Sequence, residues 1–327
     1  MVKAPGVVTG RYGTIGEVFF EDHDFWPLNT TLWVSNFHGY DEKFVYYLLQ
    51  TVDFATHSGK SGVPGVNRND IHKEIVCVPV VVYEQRAIAT ALEECDEWIA
   101  SLERIIAKKQ AIRQSLMQQL LTGRSRLLGF SRPWRRSSLG ELCLLRSGSP
   151  KPRVEGGRYW VIDMGSVTRD ADLIVTRKTN DASGLLCQGE LVMPKDDIGG
   201  GNIIGRTGLI ERSNQYVLAD HVYALTPRST SPAFLNFAIN SYEVNASLRA
   251  QATGSAQLGL SRLSVLSQEV DYPGDVEEQL AIAQVLTEAT DEIAGLLQCL
   301  CKAQAIKTGM MQQLLTGRTR LPMEAAV

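Results

Sequence analysis

Residues 84–127 read EQRAIATALEECDEWIASLERIIAKKQAIRQSLMQQLLTGRSRL, and residues 278–321 read EQLAIAQVLTEATDEIAGLLQCLCKAQAIKTGMMQQLLTGRTRL. At a constant offset of 194 the two stretches share 24 of 44 positions without a gap, far more than chance provides. The chain therefore contains a duplicated element, and the position of that element decides how the rest of the sequence divides.

Each copy is predicted to form a long helix that pairs with the other copy. Both are rich in strong helix formers, and a helix over 84–121 would be about 57 Å long. Apolar side chains recur at steps of four and three, the spacing of a coiled-coil seam. The residues predicted to pair the helices are Ile88, Leu92, Ile99, Leu102 and Ile106 in the first copy, and Ile282, Leu286, Ile293, Leu296 and Leu300 in the second.

Beyond this stripe the pattern predicts a stutter and a glycine cap. The apolar positions skip from Ile106 to Ile112, and the second copy repeats the skip at Ile306. Gly123 and Gly317 can then take the left-handed conformation that ends a helix.

The charges are distributed in the same way along both copies, with acidic residues in the first half and basic residues in the second half. That distribution complements the helix dipole, and it also suits binding of phosphate or a partner.

The segments outside the helices predict α+β domains. Residues 128–277 contain many turn signals between short β-rich runs such as Tyr159–Ile162, Leu173–Val175 and His221–Leu225. A helical patch lies near 233–245. Residues 1–82 repeat only the latter part of this domain, since Phe44–Leu49 aligns with Phe234–Ile239. The run Gly10-Arg11-Tyr12-Gly13 also resembles Gly205-Arg206-Thr207-Gly208. About 70 residues lie between Trp134 and Gly205 in the second domain, whereas nine residues precede Gly10 in the first. We therefore expect the first domain to lack its N-terminal part.

The predicted organisation is a partial domain (1–82), a first helix (83–127), a complete domain (128–277), a second helix (278–321) and a tail (322–327). The composition is compatible with packed domains, since 44% of the residues are hydrophobic. No run of about 20 apolar residues predicts a membrane span, and we expect a cytoplasmic protein without a metal or other cofactor. The six cysteines have no metal-ligand or disulfide spacing, which favours buried free thiols.

The run EQRAIA…LE..I.KK.AI.Q..MQQLLTGR.RL resembles the helical spacer of the DNA-specificity subunits of type I restriction–modification systems. The resemblance covers nearly the whole chain, and SLGELCLLRSGSPKP (138–152) and GSAQLGLS (254–261) also resemble segments of their target-recognition domains. It implies two recognition domains, the first one partial, separated by helices that pair as an antiparallel coiled coil. It further implies that each domain reads half of a bipartite double-stranded DNA site. Methyltransferase subunits, two of them in the family, and restriction subunits would methylate adenine and cleave DNA, while this chain is not an enzyme.

DNA contacts are expected from polar and basic residues on glycine-rich loops, because Arg and Lys suit guanine edges or phosphates and Asn and Gln suit adenine. These candidates are Ser147, Ser149, Lys151, Arg153, Lys195, Ser255 and Gln257 in the complete domain, and Lys60, Ser61, Asn67 and Arg68 in the partial one. The net charge of −3, and 15 basic against 16 acidic residues over 135–277, predict weak phosphate affinity for this chain alone.

Three other interpretations remain open at this point. The short first domain suggests a silent, non-functional fragment of the same family, and the long helices suit a scaffold that binds only protein. The third is nucleotide binding at Gly200–Thr207, which fits a phosphate loop except that Arg206 replaces the lysine. The flanking sequence predicts strand, turn and strand there, whereas a phosphate loop requires strand, loop and helix.

Overall fold

The computed structural model describes residues 1–57, 65–198, 200–254 and 257–321. The chain divides into two compact units, of which unit 1 comprises Met1–Ala107 and Ala294–Val327 and unit 2 comprises Lys108–Ile293. Both long helices contribute to both units. None of the helices in the described ranges combines the length and apolarity that a membrane crossing requires.

Unit 1 contains a three-stranded antiparallel sheet of order β2-β1-β3. Its elements are β1 (Gly6–Gly10), β2 (Val18–Glu21), β3 (Thr31–Trp33), α1 (Glu42–Leu49), α2 (Arg68–Ile71) and the first part of α3 (Val82–Leu120). Phe44 and Tyr47 of α1 pack with Ile88 and Leu92 of α3 and with Leu314 in one hydrophobic core. The small domain is therefore built directly onto the long helices.

Unit 2 is larger, and its main sheet has the order β10-β8-β12-β5. Its strands are β4 (Trp134–Ser138), β5 (Cys143–Ser147), β6 (Tyr159–Ile162), β7 (Lys178–Thr179), β8 (Leu191–Pro194), β9 (Asp196–Asp197), β10 (Gly208–Leu209), β11 (Tyr216–Leu218), β12 (Val222–Pro227), β13 (Leu258–Gly259) and β14 (Glu269–Pro273). Its helices are α4 (Leu139–Leu142), α5 (Pro232–Asn240), α6 (Tyr242–Ala250), α7 (Arg262–Ser267) and the first part of α8 (Val276–Met310), which continues into a π-helical turn, Met311–Leu315.

The two faces of the main sheet of unit 2 are both covered. One face packs against α5 and the start of α8 through residues such as Leu191 and Phe234. The other face, which includes Val192 and Ala224, packs against Ile162 and Leu218 of a second sheet of order β11-β6-β7. This two-layer arrangement positions the loops at the strand ends, where the candidate site lies.

The two long helices pair antiparallel, as predicted, and the pairing is visible inside each unit. In unit 1 Lys307 of α8 lies 2.5 Å from Asp96 of α3, and in unit 2 Arg113 donates a 3.5 Å hydrogen bond to Thr290. At the offset of 194, Lys307 corresponds to Arg113 and Asp96 corresponds to Thr290. The same pair of helix positions therefore makes a contact once in each unit.

The predicted seam residues pack as expected as far as Ile106. Ile88, Leu92, Leu102 and Ile106 are buried, with Ile99 partly so. In α8 Ile282, Leu286 and Ile293 are buried, and Leu296 and Leu300 are partly buried.

The predicted stutter is wrong. Ile112 and Ile306 are 44% and 49% exposed. The steps of three and four continue instead through Lys109 and Arg113, because these side chains find polar partners across the seam. The Lys109 ammonium lies 2.6 Å from the Glu292 carboxylate.

Several local predictions can be compared directly with the structure. Tyr159–Ile162 is a strand, Gly123 and Gly317 have positive φ as predicted, and Leu173 forms only an isolated bridge with Val167. The thiols are free, but the prediction that they are buried is wrong for most of them, because only Cys143 is buried. Burial raises the pKa of the Cys143 thiol to about 12.

Candidate nucleic-acid interface

The candidate site of unit 2 is formed where β5 and β8 end and the antiparallel strand β12 begins. Ser147 pairs with Tyr223 across the β5–β12 ladder, and Tyr223 also pairs with Met193 of β8. Lys195, the residue after β8, donates its amide to the carbonyl of His221 at 3.0 Å. Ser147 and Lys195, which were both predicted from the sequence, therefore lie at the same end of the sheet, on either side of Tyr223.

The 257–261 segment joins this edge through backbone pairing. Leu260 donates its amide to the carbonyl of Lys195 at 2.7 Å, and Leu258 pairs with Asp197 in the β13–β9 ladder. The Tyr223 hydroxyl donates to the carbonyl of Leu260 at 3.2 Å. Gln257 is exposed just before β13, and in this register it lies opposite residue 198, three positions along the chain from Lys195.

Charge at this edge is mixed. The Lys195 ammonium lies 5.9 Å from the centre of the Tyr223 ring, and the Nδ1 of His221 lies 2.5 Å from a carboxylate oxygen of Asp196. The half-exposed His221 and its Asp196 partner offer a donor and an acceptor for base edges, and Lys195 supplies one positive charge for a phosphate. His221 is not among the DNA-contact residues predicted from the sequence.

The loop after β5 has a buried anchor. Lys151 has a fully buried side chain, and its ammonium lies 3.1 Å from the Asp181 carboxylate and 3.1 Å from the Ser149 hydroxyl. Hydrogen bonds from Ser183 and from Lys151 hold the pKa of Asp181 at about 2. The expectation that Lys151 contacts DNA directly is therefore wrong for this conformation, because its three donors are directed inward. Ser149 and Arg153 remain exposed.

A close backbone approach fixes the start of that loop. A Cβ on Gly148 would lie 1.9 Å from the carbonyl oxygen of Ala219, so only glycine fits there. This constraint explains the glycine between Ser147 and Ser149, and it places the start of the loop next to Ala219, which follows β11.

A basic surface that the sequence did not single out lies on β6 and β7. The Lys178 ammonium stands 4.2 Å from the centre of the Trp160 ring, and the Arg158 guanidinium 5.4 Å from that of Tyr159. Among the ion pairs of the described residues none involves Arg158 or Lys178, so both charges are available to a ligand. The signal in the sequence was the run RYW at 158–160 followed by RK at 177–178.

In unit 1 the structure places two of the four predicted residues. Asn67 accepts a hydrogen bond from the amide of Asn69 and caps α2, and Arg68 is exposed in its first turn. Lys60 and Ser61, like Ser255 of unit 2, lie outside the described residues, and so does the tail 322–327.

The phosphate-loop alternative does not have the required structure. Gly200–Thr207 lies between β9 and β10, and β10 pairs antiparallel with β8. Arg206 donates a 2.9 Å hydrogen bond to the carbonyl of Asn240. Burial lowers the pKa of Arg206, and its guanidinium is directed into the domain rather than toward a ligand. The segment is the strand–turn–strand that the flanking sequence predicted.

Sheet domains that pack on a pair of long helices are also found in solved structures of known proteins. Residues 3–112 match the family described as type I restriction modification DNA specificity domain. The S subunit of the type I restriction–modification system from M. genitalium is 16% identical to the chain and has a TM-score of 0.67. The match covers 96% of this chain and 84% of that one.

Two further solved structures have the same fold. The HsdS subunit from Thermoanaerobacter tengcongensis is 18% identical, with a TM-score of 0.50, and the match covers 97% of this chain and 82% of that one. A structure described as showing complex assembly and conformational transition of the type I R-M system is 16% identical, with a TM-score of 0.56, and covers 97% and 83%. Residues 3–112 thus carry a match to a type I DNA specificity domain, and over nearly its whole length the chain has the fold of these solved structures.

Proposed function

We propose that the chain reads a bipartite double-stranded DNA site and directs adenine methylation and DNA cleavage by partner subunits. The observation that carries the proposal is a repeated ion pair that joins the two long helical segments next to each domain. Arg126 binds Glu278 in unit 2, and Arg320 binds Glu84 in unit 1, at the same offset of 194. Because this contact occurs once next to each domain, it supports a protein with two equivalent recognition domains, each of which binds one half-site.

The proposed base-reading residues of unit 2 are those gathered at the strand ends. Lys195 supplies a cation, and Gln257 a side-chain amide that suits adenine. Ser147, Ser149 and Arg153 extend the same surface along the loop after β5. In unit 1 we propose Asn67 and Arg68 with Lys60 and Ser61, and Ser255 completes the set in unit 2.

The partners and boundaries are also proposals. Two methyltransferase subunits and the restriction subunits would bind the complex in the cytoplasm, and the former would supply much of the affinity for phosphate that the balanced charge of unit 2 does not. The proposed domain boundaries are 1–82 for the partial recognition domain, 83–127 and 278–321 for the two helices, 128–277 for the complete recognition domain and 322–327 for the tail. The description of one similar structure, which refers to complex assembly of the type I system, supports such partners.

The experiment is to map methylated adenines genome-wide in cells with and without the gene, and to measure DNA binding of the chain with its methyltransferase subunit. We expect a methylated motif that disappears with the gene. A Lys195→Gln, Gln257→Ala variant should lose or alter that motif, whereas Arg212→Gln, at an exposed position between β10 and β11, should keep it.

The alternatives give different results in the same experiment. A protein-only scaffold would join the complex without adding any sequence preference to DNA binding. A silent fragment would leave the methylation map unchanged when the gene is removed. Either result would contradict the proposal.

A further inference from the structure

A cleft of about 340 Å³ lies within unit 2, between α6 and the turn that follows β9. It falls in the size range of small-ligand sites, ~300–1,000 Å³. Tyr242 is 87% exposed at its rim, so the cleft is open to solvent. It is lined by Gly201 and Ile204 of the turn, by Tyr242, Ala246 and Arg249 of α6, and by Leu258 of β13.

Arg249 brings an unpaired positive charge to this cleft. Its Nη2 lies 3.7 Å from the point where a Cβ on Gly201 would be, so the guanidinium stands over the backbone of the turn. Within the part of the chain that the structure describes, no ion pair or hydrogen bond involves this guanidinium. A cation in the last turn of α6 complements the helix dipole, but that role leaves its N–H donors free. These donors are therefore available to an anion.

A second guanidinium adds to the positive charge beneath the cleft. The Nε–H of Arg206 is buried without an acceptor, and its Nη1 donates to the carbonyl of Asn240. Burial lowers the pKa of Arg206, and the charges of Arg249 and Arg169 lower it further, whereas Asp170 raises it. Arg206 is thus held inside the domain and contributes charge rather than a contact. An anion bound by Arg249 would relieve the repulsion between the two arginines.

The walls of the cleft indicate what accompanies the anion. Ile204 and Leu258 are apolar, and the Tyr242 ring stands at the rim. A free inorganic phosphate would leave these apolar walls uncovered, whereas a phosphate that carries a sugar would cover them.

The position of the cleft identifies the source of that phosphate. Leu258 directly follows Gln257 and pairs with Asp197, two residues after Lys195. We propose that the cleft binds one phosphate and deoxyribose of the DNA backbone, with Arg249 on the phosphate, next to the sheet edge that holds Lys195. This assignment rests on the proposed function, because it takes DNA to be the ligand of unit 2.

The test is DNA binding by the complex of the chain with its methyltransferase subunit, on one duplex with the methylated motif and one without it. Arg249→Gln should weaken binding to both by about tenfold, since a charge-assisted hydrogen bond to the backbone is lost whatever the sequence. The slope of log K against log salt should fall by about 1. Arg249→Lys keeps the charge and should keep the slope. Arg212→Gln, at an exposed arginine between β10 and β11, is the matched control and should bind as the wild type does.

Two further measurements locate the contact. Ala246→Glu places a carboxylate one helical turn from Arg249, where it would neutralise the guanidinium, and should weaken binding to both duplexes as well. Motif duplexes in which single backbone phosphates are replaced by neutral methylphosphonates should include one position that weakens the wild type about tenfold. The same replacement should leave Arg249→Gln unaffected, because that variant has already lost the contact.

Four outcomes would overturn the proposal. Arg249→Gln could bind with the affinity and salt slope of the wild type. It could lose affinity for the motif alone, which would make Arg249 a base-reading residue. Every methylphosphonate could weaken the variant as much as the wild type. Inorganic phosphate could raise the thermal midpoint of the wild type but not of Arg249→Gln while DNA affinity is equal in both, which would identify a free anion as the ligand.

Failure of the proposed function gives a different result. A wild-type complex that binds both duplexes equally well would contradict sequence-specific recognition. The comparison of Arg249→Gln with Arg212→Gln would still be measurable on either duplex, so the two failures are distinguishable.

Discussion

The carboxylate of Glu84 accepts two hydrogen bonds, both 2.5 Å, from the guanidinium of Arg320, which lies 236 residues later in the chain. Glu84 is almost fully buried, and a buried carboxylate without a partner is strongly destabilising. Glu278 and Arg126 repeat the arrangement at 2.5 and 2.9 Å. The same bidentate contact therefore joins the two helical segments to each other next to each domain.

Removal of the arginine should affect the two units unequally. The side chain of Arg126 is 26% exposed, whereas that of Arg320 is 62% exposed, so water can replace Arg320 more easily. We expect Arg126→Ala to lower the thermal midpoint more than Arg320→Ala. Adding Glu278→Gln to Arg126→Ala should recover part of the loss, because it removes the unpaired charge. An equal loss in both single variants, measured by urea and thermal unfolding, would contradict this account.

The corrected seam predicts different effects for two apolar residues of α3. Leu102 is 7% exposed and Ile112 is 44% exposed. Leu102→Ala should cost about 2–4 kcal/mol in the free energy of unfolding, as core leucines do. Ile112→Ala should cost less than about 1 kcal/mol, as surface changes do. Denaturant titration of both variants checks this, and a larger cost for Ile112→Ala would restore the stutter.

The duplication and the helices could be predicted because they rest on local, repeated patterns. The seam beyond Ile106 could not, since Lys109 and Arg113 occupy apolar positions only by virtue of Glu292 and Thr290 on the other helix. A periodicity of apolar residues cannot reveal polar contacts between helices that are distant in sequence.

The candidate site shows the same limit. Lys195 and Gln257 were predicted from their loops, but the pairing of β9 with β13, which joins the two segments, depends on the tertiary fold. The sequence predicted Lys151 to be an exposed loop lysine. Its side chain is instead buried, and its ammonium donates a hydrogen bond to Asp181, 30 residues away. Whether a lysine on a glycine-rich loop faces outward depends on such a partner, which sequence spacing does not show.

The Asp181–Lys151 pair predicts a pH dependence of stability. Hydrogen bonds from Ser183 and Lys151 lower the pKa of Asp181 from 3.8 to about 2, so the folded state favours the carboxylate. The resulting stabilisation is present above about pH 4 and is lost as the pH falls toward 2. Asp181→Asn should therefore be less stable than the wild type at pH 7, with a difference that shrinks below pH 4. Asp172→Asn, at an exposed position, is the control and should show no such trend in unfolding measured across pH.

The position of Lys195 predicts its contribution to DNA affinity. Its ammonium lies beside the Tyr223 ring at the edge where β8 and β12 meet, and it forms no ion pair among the described residues. If it contacts a phosphate, Lys195→Gln should weaken binding equally for matched and mismatched DNA. It should also reduce the slope of log K against log salt by about 1. If it contacts a guanine edge, the loss should instead be about 1–3 kcal/mol at one base pair, with relaxed specificity there. Binding titrations of the complex with the methyltransferase subunit at several salt concentrations separate the two roles. An unchanged affinity and slope would remove Lys195 from the interface.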